Sequence, residues 1–400
     1  MVKNRTIALA LSLYMVLAPL PGLADADTWR KATDDALSSY NEGDFPKAEG
    51  LLKEALADAE KFGKDDPRLF RSLDNLALIY YKEGEFGKAE PLLLRSLKLR
   101  EDKFGADDVK IAEGLHNLGL LYLSEDKLDQ ARKLFLRLLE LRQKALGEDH
   151  QDVATTMNNL AEVYDLLGDY KKAEKMLAAA LKIREAKFGD SHSDVANSLN
   201  NLAGLYLDKE EYDKAEPLLV RSLAIQEKVS EDKDIDPGLS AILNNLAELY
   251  DARGQFEQAE PLLKRSLAID EKAYGPNHPS VAKTLNNLAA LYVDEDKYEE
   301  AKPLVERSLK ITETLEDPEH PGMIQSLEEI AELYCSKGKS TEAIPIRERI
   351  LILQERRLGK DSPELVMYIE DYADTLKEAG EDEKSSQLKQ RAKDLKKKGK

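Results

Sequence analysis

Between residues 279 and 313 the apolar positions fall on two stripes. Leu285, Leu288, Ala289 and Tyr292 recur at three-and-four spacing, which places them on one face of a helix. After a polar turn at Asp294 to Lys297, the residues Tyr298, Ala301, Val305, Ser308 and Leu309 repeat that spacing, with Ala and Ser where two helices must approach closely. The pattern predicts a helix A, a short turn and a helix B. It returns along the chain: the frame Asn75-Leu76-Ala77-x-x-Tyr80 comes back at Asn117, Asn159, Asn201, Asn245 and Asn287, in steps of 42, 42, 42, 44 and 42 residues. Degenerate copies follow at Glu329-Ile330-Ala331 and Asp371-Tyr372-Ala373, and a divergent opening copy runs from about Thr28 through Ala48. The expected fold is therefore all-α, a solenoid of about nine helix pairs of 42 residues. A pair this short cannot bury its own apolar face, so neighbours must stack.

Each boundary has a backbone reason. Gly189 and Gly275 are expected to end helix B in a left-handed conformation, and His278-Pro279 and His320-Pro321 to open the next helix A with a polar cap and a Pro at its first position. Pro91, Pro217, Pro261, Pro303 and Pro345 recur in the second turn of helix B, where a missing N–H predicts a gentle kink and not a break. The two extra residues between Glu227 and Pro237 read as a polar surface loop, with a hinge as the alternative.

The run Leu243-Asn244-Asn245-Leu246-Ala247-Glu248-Leu249-Tyr250, with Gly254-Gln255-Phe256, Ala259-Glu260-Pro261-Leu262-Leu263 and Gly275-Pro276-Asn277-His278-Pro279, resembles the tetratricopeptide repeats of the kinesin light chain type. The resemblance covers about residues 28 to 383 and is strongest from 68 to 312. It implies a right-handed superhelix, the solenoid of the fold class expected here, whose helices A line a concave groove for an extended or helical peptide segment. It implies further that the Asn before the Leu-Ala pair faces that groove, at Asn75, Asn117, Asn159, Asn201, Asn245 and Asn287. An amide offers two donors and an acceptor with no charge to desolvate, which suits a peptide backbone. A second column, Asn158, Asn200, Asn244 and Asn286, lies one residue earlier and so about 100° around the helix. Either column can instead tie adjacent helices together. Other groove positions are mostly acidic, among them Glu162, Asp165, Asp208, Glu248, Asp251, Asp294 and Glu332, against Arg71, Lys82 and Lys283. The expected ligand is a neutral or basic segment of another protein.

Composition narrows the field. The chain has 400 residues, 34% charged and 42% hydrophobic, which is too apolar for disorder. A net charge of −18 makes nucleic acid a poor partner. Residues 1–26 read as a signal peptide: Lys3 and Arg5 precede an apolar stretch from Thr6 to Leu17, Pro19 and Pro21 break it, and Ala24 and Ala26 offer cleavage sites. The apolar run is shorter than the ~20 residues a bilayer span needs. Export to a periplasm or beyond the cell is expected, and a motor-cargo role is not, since the long heptad segment of kinesin light chains has no counterpart here. Residues 27–383 form the expected repeat array and 384–400 a basic tail or capping helix. Cys335 is the only cysteine, so no internal disulfide exists.

The chemistry is sparse. His150, His192, His278 and His320 recur at one place in the repeat where other units carry Asp66, Asp108 and Asp236, which points to helix capping and not to a metal. His116 is a lone groove-side residue. Gly338-Lys339-Ser340 lacks the earlier Gly and the strand of a phosphate loop. Carboxylates lie on patterned helix surfaces with no sign of burial, and no nucleophile or dinucleotide motif is present. The expectation is an exported, non-enzymatic, cofactor-free scaffold that binds a peptide segment of a partner. The alternative is a structural solenoid that assembles with itself.

Overall fold

The computed structural model describes residues 27–41, 44–314 and 321–398; residues 1–26, where a signal peptide is expected, Gly43 and His320 lie outside them. Among the described residues there are eighteen α-helices and no strand. They are α1 (Asp27–Asn41), α2 (Phe45–Lys61), α3 (Pro67–Lys82), α4 (Phe86–Phe104), α5 (Ala112–Ser124), α6 (Leu128–Leu146), α7 (Gln151–Leu166), α8 (Tyr170–Phe188) and α9 (Ser193–Asp208). They continue with α10 (Tyr212–Val229), α11 (Pro237–Ala252), α12 (Phe256–Tyr274), α13 (Pro279–Asp294), α14 (Tyr298–Thr314), α15 (Pro321–Ser336), α16 (Ser340–Leu358), α17 (Val366–Glu378) and α18 (Asp382–Lys398). The chain divides into two compact units, one ending at Glu211 and one beginning at Tyr212. The inserted segment 230–236 falls inside the second unit, between α10 and α11, as an exposed polar loop.

The two stripes read from residues 279–313 are the core of their repeat. Leu285, Leu288, Ala289 and Tyr292 of α13 pack with Ala301 and Val305 of α14, and Ile324 and Leu327 of α15 close the same cluster. In the first unit one repeat changes both sides of the close helix crossing. The third residue of the Asn-Leu-Ala frame is Ala at 77, 161 and 203 but Gly at 119, and its helix-B partner is Leu at 93 and 177 but Phe at 135. A Cβ on Gly119 would stand 2.7 Å from the Phe135 ring, so the missing methyl is the space that the larger ring occupies. Recurring tyrosines bond neighbouring repeats: Tyr80 donates to Glu49 at 2.8 Å, Tyr122 to Glu90 at 2.9 Å, Tyr206 to Glu174 at 3.0 Å and Tyr292 to Glu260 at 2.9 Å. The Glu of the Ala-Glu pair in helix B is therefore a structural acceptor in these units.

The helix ends follow the expected scheme with one correction. Helix B does stop at a glycine, but Gly105, Gly147, Gly189, Gly275 and Gly359 combine φ of 75° to 91° with ψ of 142° to 177°, an extended conformation and not the left-handed helical one. That region is close to glycine-only. Ordinary side chains with positive φ sit instead in the turn between helices A and B, where Asp126, Glu210 and Asp296 occupy the place that Gly84, Gly168 and Gly254 hold elsewhere. Helices α4, α10, α12, α14 and α16 all run on through their internal Pro. Pro-free α6 and α8 have the same 19 residues as α4 and α12, so the ring does not shorten the helix.

The basic C-terminal stretch forms α18, which buries Ala392 and Leu395 against Leu351, Leu365 and Ile369. Its cations are largely engaged: Lys389 with Asp374, Arg391 with Glu355 and Lys396 with Glu370.

Candidate functional site

Within the first unit α3 meets α5, α5 meets α7 and α7 meets α9; within the second, α11 meets α13 and α13 meets α15. The odd-numbered helices thus form an inner layer in each unit, and all the sequence-derived site residues lie on it. Asn75, Asn117, Asn159 and Asn201 are buried, as are Asn158, Asn200 and Asn286, while Asn244, Asn245 and Asn287 are half-buried. Glu162 is buried and Glu248 half-buried.

The two Asn columns are joined by a register. Asn287 Nδ2 donates to Asn244 Oδ1 at 3.1 Å, so the first-column amide of one repeat reaches the second-column amide of the repeat before it. Asn159 Nδ2 makes the same step, 3.4 Å to Nδ1 of His116. An amide nitrogen only donates, so His116 Nδ1 must accept and the ring is neutral. Burial, aided by the Arg142 guanidinium, pushes its pKa down to about 4. Asn244 Nδ2 also donates to the Ser240 carbonyl at 3.0 Å and to Ser266 Oγ at 2.5 Å. These amides tie inner helices together, and the ones left half-buried still present polar edges on the same layer.

The carboxylates depart from the solvated surface expected of them. Glu162 is 1% exposed and Asp165 7%, because side chains that a single helix would leave open are covered by the inner helices on either side. Burial pushes the Glu162 pKa up to about 8, and the negative charge of Asp165 adds to the rise. Burial raises Asp165 as well, while a side-chain hydrogen bond with Asp208 of α9 opposes the rise. In the second unit Glu328, which takes the place of the second-column Asn, is raised to about 7 by burial, against the opposing charge of Arg347. The 42-residue step from Asn286 to Glu328 is the sequence signal for it.

Sequence reading passed over one further inner-layer pair. Tyr81 Oη and Ser124 Oγ share a hydrogen bond of 2.7 Å between α3 and α5, and burial raises the phenol's pKa. The charge of Glu162 also acts on this phenol, from two inner helices away. Beside it burial lowers the Lys82 ammonium. Tyr81 sits where other repeats carry Leu123, Asp165 and Leu207, so a comparison of columns reveals it as the odd member.

The recurring histidines are caps. Nδ1 of His150 accepts from the Asp152 N–H at 3.2 Å, His192 from Asp194 at 3.1 Å and His278 from Ser280 at 3.1 Å. Asp66, Asp108 and Asp236 do the same with a carboxylate oxygen. Among the described residues no group of three His, Cys, Asp or Glu is placed to hold a metal. His192→Ala should lower unfolding free energy by about 1 kcal/mol, whereas His192→Asp should stay near the parent value, since the acceptor survives. Urea titration of the two variants checks this; equal losses would show that the stacking of His192 on Phe188, at 4.3 Å between ring centres, matters more than the cap.

The Tetratricopeptide repeat profile matches residues 36–102, 110–186, 167–228, 238–314 and 322–398, and the chain belongs to that family. Among solved structures it is similar to BtubC (BKLC) from P. vanneervenii, at 28% identity and a TM-score of 0.50 over 58% of this chain and 92% of that one. It also shares its fold with a Rap protein complexed with Competence and Sporulation Factor, at 17% identity and a TM-score of 0.55 over 93% of this chain and 98% of that one. The apo quorum sensor NprR from B. thuringiensis matches at 16% identity and a TM-score of 0.52, over 92% of this chain and 99% of that one. Comparison with curated protein sequences gives no match. No helix among the described residues is long and apolar enough to cross a membrane.

Proposed function

We propose that this chain is an exported, non-enzymatic scaffold that holds a peptide segment of a partner protein along the inner layer of its odd-numbered helices. The observation that carries the reading is the concentration of polar side chains on that layer. Inner helices of a stacked array need only small and apolar residues to pack, yet here they carry two columns of amides, with Asn244, Asn245 and Asn287 still partly open. Amide edges suit the backbone of an extended segment whatever its side chains. The excess of acids around them favours a neutral or basic segment. The Rap protein, a fold relative, is solved in complex with Competence and Sporulation Factor, which supports a binding role for this architecture.

The test uses the chain from Asp27 onwards against an array of acetylated random dodecapeptides. Gly204 of α9 and Ala290 of α13 are half-buried inner positions, in register with Glu162 and Glu248. Gly204→Trp and Ala290→Trp should each weaken by about tenfold the peptides that lie across their own unit, with helicity and melting unchanged. Full retention of every peptide by both variants would place binding elsewhere. For export, the full chain secreted from a bacterial host should begin at Asp27 or Asp25 by intact mass, and retention of Met1 in the exported fraction would refute the signal-peptide reading.

A further inference from the structure

The outer layer of the first unit differs from the inner one in charge. On each of α4, α6 and α8 one exposed stripe recurs at spacings of four, three, four and four residues, a pattern that keeps its members on one helical face. It runs from Gly87 to Asp102 on α4, from Asp129 to Lys144 on α6 and from Lys171 to Ala186 on α8. The middle of each stripe is apolar: Leu94 is 44% exposed, Leu136 is 42% exposed, and the exposed Ala178 stands at the same register. Around this row lie Lys98, Lys133, Lys144, Lys171, Lys175 and Lys182, against Asp102, Asp129 and Glu140. Stacking of the repeats does not require a leucine there. In the second unit the same register passes from Val220 to Lys264, Glu306 and Glu348.

These lysines are free as well as exposed. Other cations of the same helices are engaged: Arg95 with Glu60, Arg132 with Asp129, Arg137 with Glu101 and Lys172 with Asp169. None of the stripe lysines has such a partner among the described residues, in a chain of net charge −18. The acids that dominate the inner layer, Glu162, Asp165 and Asp208, belong to the other helices of the pairs. A pair of helices is about 20 Å thick. Physiological salt screens charge over about 8 Å, so a body against the outer face meets the lysines and not the net charge.

We infer that the outer face of α4, α6 and α8 docks the protein on an anionic lipid bilayer. The lysines pair with lipid phosphates, and Leu94 and Leu136 enter among the headgroups. The lysines are spread over three helices and four registers, which makes an area and not a line. A bound acidic segment would follow one line and leave most of them idle, whereas a bilayer offers anions across the whole patch. Lysine stems lie along apolar surface and carry their ammonium groups outward, which suits an apolar row with cations on both sides. Two copies placed outer face to outer face would repel each other. The inference is independent of the groove, and it requires no helix to cross the membrane.

Flotation of the chain from Asp27 tests this, with vesicles of phosphatidylcholine alone and of phosphatidylcholine containing about one-third phosphatidylglycerol. The native chain should float with the anionic vesicles only, and should be released as salt rises from about 0.1 M to about 0.5 M. Changing Lys133, Lys175 and Lys182 together to Gln should weaken binding by about a hundredfold, with helicity and melting unchanged. The same loss of charge at Lys228, Lys302 and Lys310, exposed on the second unit, should weaken it by less than about fivefold. Leu136→Ser should cost about fivefold and leave the salt dependence as it was. The groove variants Gly204→Trp and Ala290→Trp should float like the native chain. Equal losses in the two triple variants, full binding by the first of them, or no preference for anionic vesicles would overturn the docking face. Capture by soluble polyglutamate without binding to vesicles would give the face to an acidic protein segment and overturn it as well.

Discussion

Glu162→Gln should make the protein more stable, and the gain should grow with pH. A carboxyl whose folded pKa is raised contributes stability that is fully present below its unfolded value, 4.5, and is lost as pH rises through its folded value, about 8. Across that window the native chain must keep a proton on a buried acid or leave a charge there without a cation. The amide of Gln has nearly the same shape and nothing to ionise. At about pH 5 the two proteins should differ by less than about 0.5 kcal/mol; at about pH 8 to 9 the variant should lead by about 2–4 kcal/mol, the order set by a shift of a few pKa units at 1.36 kcal/mol each. Urea titrations at a series of pH values read this directly. A gain that is the same at every pH would mean that Glu162 is ionised in the folded chain and already compensated.

The second large effect concerns Gly119 and Phe135. Gly119→Ala alone drives a methyl into a fully buried ring and should destabilise by about 1–3 kcal/mol. Phe135→Leu alone leaves a gap opposite the glycine and should also lose about 1–3 kcal/mol. The double variant restores the Ala and Leu that stand at the same crossing in neighbouring repeats, as at Ala77 with Leu93 and Ala161 with Leu177. It should recover most of both losses, with a coupling of about 1–3 kcal/mol in the double-mutant cycle. Additive losses would show that the two positions do not share one volume.

This pair shows what the sequence could and could not convey. The fold was legible because two apolar stripes per 42 residues leave no reading other than stacked helix pairs, and Leu285, Ala289, Ala301 and Val305 are buried as their spacing predicts. The caps were legible because His and Asp interchange at one register. The Gly119 and Phe135 exchange was legible in principle, though only by reading columns across repeats and not along one helix. The burial of Glu162 and Asp165 was not. A single helix shows which residues share a face, but whether that face stays open depends on how near the next inner helix comes, and a phase error of one residue turns a side chain by about 100°. The amide columns lie on the odd-numbered helices, and their mutual bonding, Asn287 to Asn244 and Asn159 to His116, depends on a 43-residue offset that appears only once the repeats are stacked.

That offset carries a kinetic consequence. Tyrosine-to-glutamate bonds close 31 to 32 residues, amide-to-amide bonds 43, and the cap bonds 2, so the bonds between repeats reach only the neighbouring repeat. No stage of assembly has to wait for distant parts of a 400-residue chain to find each other, and the entropy of closing each loop is nearly the same from one repeat to the next. A chain of this kind has low contact order despite its length, and it should begin to order while its later repeats are still being made. Every few dozen residues that emerge during synthesis already contain a complete folding partner for the residues before them.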